Sequence, residues 1–144
     1  MLHKYLKYEA NLYKLEEGRE ICAPQLTKLL SAMLYEKRMT GGWFVSPIVA
    51  GLDSNKQPFV AAMDGLGATT TGDDWLVDGT GHEFLLGPAQ FYYKPGMKKD
   101  ELLKVVTTVM QAGTNRDALS GWGIDVWIMD KDGVELHHQP CRMD

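Results

Sequence analysis

Four histidines, two cysteines and a scatter of acidic and hydroxyl side chains are the residues of this 144-residue chain that could carry chemistry. The adjacent pair His137 and His138 suggests a metal site. Neighbours on an extended strand point to opposite faces, however, and cannot grip one ion together. Asp130-Lys131-Asp132-Gly133 resembles the opening of a calcium loop. Its glycine comes too early and the later acidic ligands are missing, so a hairpin turn accounts for it. Gly79-Thr80-Gly81 lacks the third glycine, or the Lys-Ser/Thr pair, of a phosphate cradle and reads as a tight turn into a helix. A hydroxyl relay could draw on Ser120, Asp117 and one of His3, His82, His137 and His138, but no Gly-x-Ser-x-Gly elbow surrounds the serine. The densest cluster is Asn115-Arg116-Asp117-Ala118-Leu119-Ser120-Gly121-Trp122-Gly123. There Asp117 and Ser120 are expected to tie down loop backbone while the glycines permit the turn.

The elements that must position these residues follow from periodicity. Leu2, Tyr5, Leu6, Leu12, Tyr13 and Leu15 predict a first helix over Leu2–Leu15, with Gly18 as its stop. Pro24 suits a first helical turn, and Leu26, Leu29, Leu30, Met33 and Leu34 follow at three-and-four spacing; Lys37 and Arg38 favour the C-terminal end of that helix. After Gly41-Gly42 the pattern shifts to short apolar runs, Trp43 to Leu52 and Phe59 to Met63, around a turn at Asp53 to Pro58. Pro47 cannot donate to a ladder, which places an edge or a bulge there. A third extended piece is expected at Trp75 to Asp78, after a polar loop from Thr69 to Asp74. Two further helices are predicted, from about Gly81 to Tyr92 and from Lys99 to Gly113, the latter with Leu102, Val105, Val106, Val109 and Met110 on its apolar face. A closing hairpin joins Ile124–Met129 to Val134–Gln139 through an Asp-Gly turn signal. Strands that come in hairpins and do not alternate with helices predict an α+β fold of antiparallel sheet and layered helices.

Composition narrows the class. The chain is of single-domain length, and its hydrophobic share of 44% with 24% charged residues is that of a globular domain. A net charge of −4, with lysine and arginine scattered, provides no basic stripe for phosphates and argues against nucleic acid as a partner. Cys22 and Cys141 lie far apart and outside metal or redox spacing, so reduced thiols in a cytosolic or nuclear compartment are expected. No apolar run approaches the roughly 20 residues of a membrane span, and Met1 to Glu20 is too charged for a secretory leader.

Arg-Asp-x-x-Ser-Gly at Arg116 to Gly121, leading into a Gly-x-x-Val-x-x-Ile strand, resembles a signature of beta-type proteasome subunits. In family order it is joined by Asn11 to Arg19, Leu34 to Arg38, Pro47 to Asp53 and the closing Arg142-Met143-Asp144. Together these resemble the non-catalytic members that fill the third place of the beta ring, and the likeness covers essentially the whole chain. The resemblance implies one domain over residues 1–144 with the four-layer αββα sandwich of N-terminal nucleophile hydrolases. It departs from the family at the front, where several strands precede the first helix; this chain starts at Met1 within that helix.

In catalytic members of that family a mature N-terminal threonine is both nucleophile and base, assisted by a lysine and an aspartate in the early strands. None of these can be assigned here, so no catalytic residue, metal or cofactor is expected. What carries over by resemblance is Asp117 and Ser120, which match the supporting pair beside the nucleophile, and Thr80, which matches a third hydroxyl near it. All three are expected to be structural remnants, with Trp122 adding bulk where many active members have glycine. Asp64 and Ala68 match positions that face a neighbouring active subunit's substrate pocket. The implied role is a structural beta-ring subunit of a 28-subunit core particle in the cytoplasm and nucleus. There it supports ubiquitin-dependent degradation, with other beta and alpha subunits as partners. The rival readings are a stand-alone hydrolase using Ser120 or Thr80 as nucleophile, and a small ligand-binding module, for which no convergent polar constellation is evident.

Overall fold

The computed structural model describes residues 1–144. Its internal contacts gather into two compact units, Met1–Leu76 and Val77–Asp144, each built as helices laid on one face of an antiparallel sheet.

The first unit begins with α1 (Leu2–Glu17) and α2 (Ala23–Lys37), followed by a short 3-10 turn at Arg38–Thr40. Helix α1 stops where expected: Gly18 takes φ 68°, a left-handed conformation open to glycine, and its N–H donates to Lys14 O. Helix α2 starts where Pro24 predicted. Cys22 sits at its N-cap in extended conformation, and the Gln25 side chain reaches back to the Cys22 N–H at 3.3 Å. Strands β1 (Ile48–Leu52), β2 (Pro58–Met63) and β3 (Thr69–Gly72) form one sheet in that order, with Val49 opposite Ala61 and Ala61 opposite Thr71. Helix α2 lies on this sheet and closes a core of Ala23, Leu30, Leu34, Val49 and Met63, against which Leu6, Trp43 and Phe59 pack. Leu30, Leu34 and Met63 are the largest fully buried side chains, each stabilising the unit by about 1.5–3 kcal/mol relative to exposure.

Two expectations need correction in this unit. The apolar run from Trp43 is not strand throughout. Pairing starts only at Ile48, directly after Pro47, which has no N–H and contributes its carbonyl alone, accepting the Met63 N–H at 3.0 Å. The third strand is not at Trp75–Asp78, which carries no regular structure, but at Thr69–Gly72, expected to be loop. Its β-branched threonines suit a pleated surface. The turn that returns it to β2 is held by Asp64, whose Oδ1 accepts the N–H groups of Leu66 and Ala68, both at 2.9 Å.

The second unit contains α3 (His82–Tyr92), α4 (Lys99–Thr114) and the ribbon β4 (Ile124–Asp130) with β5 (Gly133–Gln139). Helix α3 runs through Pro88, whose place inside a helix is normally unfavourable; packing against α4 offsets this. The contact is tight because Gly113 has no side chain, and it buries Leu85, Ala89 and Val109. Asp100 and Glu101 put negative charge in the first turn of α4, opposite in sign to the dipole there. Helix α4 packs on β4, where Ile124 and Val126 alternate inward while Asp125 and Trp127 face outward. The ribbon turns at Lys131-Asp132, with Asp130 Oδ1 accepting from the N–H groups of Asp132 at 2.8 Å and Gly133 at 3.0 Å. Lys131 and Asp132 both keep negative φ, so the turn rests on the Asp130 carboxylate and not on the doubly left-handed geometry that an Asp-Gly pair usually makes.

Candidate functional site

The second unit brings Thr80, Asp117 and Ser120 together. Helix α4 ends at Thr114, and the Asp117 N–H donates to Gly113 O at 3.1 Å, which folds the chain back at that point. The Asp117 carboxylate is buried; its Oδ1 accepts the Leu119 N–H at 3.0 Å, a tight local turn of the kind aspartate favours. Its Oδ2 accepts two hydroxyls at once, Ser120 Oγ at 2.6 Å and Thr80 Oγ1 at 2.6 Å. Thr80 reaches it across 37 residues of sequence, at the turn leading into α3. Gly81 allows that approach, since a Cβ there would stand 3.2 Å from Asp117 Oδ2.

These donors hold the Asp117 carboxyl below the ordinary aspartate range, the Ser120 hydroxyl first, then Thr80, the Leu119 N–H and the nearby Arg142 charge, with desolvation acting the other way. A carboxylate so stabilised is a weak base. Each hydroxyl donates a hydrogen bond to that carboxylate, so the arrangement orients hydroxyls and fixes a loop. The histidines considered for a relay are engaged elsewhere. His82 Nδ1 lies 3.2 Å from Gly79 O, His137 Nε2 3.4 Å from Glu135, and His138 Nδ1 2.6 Å from Asp125. His3 is on α1, in the first unit. His137 and His138 stand opposite Val126 and Asp125, on alternate faces of the ribbon as strand geometry requires.

Asp64 and Ala68 lie in the first unit, exposed at the two ends of the β2–β3 turn. They border an open groove of about 930 Å³ between α2 and that hairpin, lined also by Thr27, Ser31, Tyr35 and Leu66.

One participant was not singled out from the sequence. The Arg142 guanidinium donates to the carbonyls of Asn115 at 3.0 Å, Asp117 at 3.0 Å and Ser120 at 3.3 Å. Its Nε lies 2.5 Å from Asp144 Oδ1 but out of line for a hydrogen bond, so that contact is ionic. The sequence signal was no more than Arg142 standing in the closing motif, since nothing local links it to a loop over 20 residues earlier.

The family model described as "Proteasome subunit" matches residues 1–129. The chain belongs to the proteasome subunit family. Among curated relatives, proteasome subunit beta type-3 of Saccharomyces cerevisiae is 38% identical over 144 residues, covering 99% of this chain and 70% of that protein. The protein of the same name from Oryza sativa subsp. japonica is 39% identical over 143 residues, with 99% and 70% covered, and that from Drosophila melanogaster 38% over 140 residues, with 96% and 68% covered. Membership of the proteasome family agrees with the α+β class expected from the order of elements, the class of the N-terminal nucleophile hydrolase fold. Thr80, Asp117, Ser120, Asp64 and Ala68 lie within the matched span, whereas Arg142 lies beyond its end.

Proposed function

We propose that this chain is a structural, non-catalytic beta-ring subunit of a proteasome core particle. In this reading it works in a 28-subunit assembly of alpha and beta subunits in the cytoplasm and nucleus, enclosing the chamber in which neighbouring threonine-protease subunits carry out ubiquitin-dependent degradation. The observation that carries the reading is identity near 38% along almost the entire chain to relatives named proteasome subunit beta type-3. The Asp117 cluster argues against the rival in which Ser120 or Thr80 is a nucleophile, since both hydroxyls donate hydrogen bonds to a carboxylate of lowered pKa, a weak base. Thr80, Asp117 and Ser120 are then remnants of the family's active-site support. In the same reading Asp64 and Ala68 contribute to a neighbour's substrate pocket; their exposure on a turn beside a groove supports this.

The test is the native mass of the tagged chain in a cell lysate, with the co-purifying chains identified. Co-elution with a large assembly of alpha- and beta-type subunits is expected. A small monodisperse species with peptidase activity lost on Ser120→Ala or Thr80→Ala would replace this reading with that of a stand-alone hydrolase.

A further inference from the structure

We propose that the segment Pro140–Asp144 is a strap that holds the Asp117 loop in its hydroxyl-binding form, with the Arg142 guanidinium as its clasp. The loop from Asn115 to Gly123 has little packing of its own. Leu119 is 80% exposed and Trp122 73% exposed, so neither side chain anchors it. Trp122 also takes φ 65°, a conformation that bulky residues rarely adopt unless their surroundings impose it.

The strap supplies that constraint along the length of the loop. Gln111 Nε2 donates to Pro140 O at 3.0 Å and ties the start of the strap to α4. The Gly123 N–H donates to Cys141 Sγ at 3.0 Å, and the Trp122 N–H donates to Arg142 O at 2.8 Å, which holds the strained residue in place. The Arg142 side chain then crosses the loop and gathers the carbonyls of Asn115, Asp117 and Ser120 onto two guanidinium nitrogens. A planar fork can serve these acceptors together; the single ammonium of lysine cannot match that geometry. Asp117 and Ser120 are thus fixed through their backbones by a residue that touches neither of their side-chain oxygens. Arg142 is a positioning residue for the cluster.

The test is hydrogen exchange in the full chain, read at the Leu119 and Trp122 amides, together with the carboxyl titration of Asp117 by carbon NMR. In Arg142→Ala, exchange at those two amides is expected to rise about tenfold, the loss associated with one hydrogen bond to a charged group, while amides within β4 and β5 keep their rates. The Asp117 titration is expected to move toward the ordinary aspartate range, because the Arg142 charge is lost and Ser120 and Leu119 no longer face the carboxylate in one arrangement. Arg142→Lys retains the charge but not the fork, and its exchange at Leu119 and Trp122 is expected to match the alanine variant. The proposal is overturned if exchange at Leu119 and Trp122 is unchanged in Arg142→Ala, if the increase spreads equally through β4 and β5, or if Arg142→Lys matches the unsubstituted chain.

Discussion

Gly113 on α4 and Leu85 on α3 approach so closely that a Cβ built on the glycine would lie 2.3 Å from Leu85 Cδ2. Both residues are buried, and the two helices they belong to form the helical layer of the second unit. An added methyl therefore has to displace a packed leucine. Gly113→Ala is expected to destabilise the chain by about 1–3 kcal/mol. The urea midpoint of Gly113→Ala is expected to fall below that of the unsubstituted chain; an unchanged midpoint would show that packing at Gly113 is not limiting.

The Asp117 carboxyl has a sign that can be tested. Its folded pKa is lowered, so its contribution to stability is fully present above the unfolded value of about 3.9 and is lost as pH falls through the folded value. The stability difference between the unsubstituted chain and Asp117→Asn is expected to be constant near neutral pH and to shrink only below about pH 4. A difference that instead shrinks at about pH 6 to 8, roughly two to four units above the aspartate reference, would assign the effect to another group.

The two hydroxyls on Asp117 Oδ2 are ranked. Ser120 lowers the Asp117 pKa more than Thr80 does. Carbon NMR titration should show the carboxyl pKa rising in both Ser120→Ala and Thr80→Ala, with the larger rise in the serine variant. Thr80→Ser retains the hydroxyl and is expected to leave the titration close to that of the unsubstituted chain. No rise in either alanine variant would mean that the hydroxyls are not bonded to the carboxylate in solution.

Asp64 combines a turn role with the role proposed in a neighbour's pocket, and the two separate by substitution. Asparagine retains the side-chain oxygen that accepts from Leu66 and Ala68 but removes the charge. Asp64→Asn is expected to leave thermal stability nearly unchanged and to alter the peptide cleavage profile of particles that incorporate it. Asp64→Ala should in addition lower stability by roughly 1 kcal/mol through the lost turn bonds. An unchanged cleavage profile in both variants would leave Asp64 as a turn residue alone.

Sequence alone determined the features that depend on neighbours along the chain. Gly18 ended α1, Pro24 opened α2, and apolar spacing placed α4 and the β4–β5 ribbon within a residue or two of their observed bounds. Each rests on capping chemistry or on a period of two or 3.6, both local properties. The family likeness was legible for the same reason, since it lies in ordered short motifs.

Tertiary structure decided what distance along the chain conceals. Thr69–Gly72 became strand because Asp64 turned it onto β2, where polar threonines could pair although they present no apolar alternation. Pro47 delayed β1 because a ladder needs N–H groups at defined places, which an apolar run does not reveal. Thr80 meets Asp117 across 37 residues, and Arg142 meets the same loop from 25 residues beyond Asp117. Hydrogen bonds of such span follow from how α3, α4 and the ribbon pack, and no local periodicity records them.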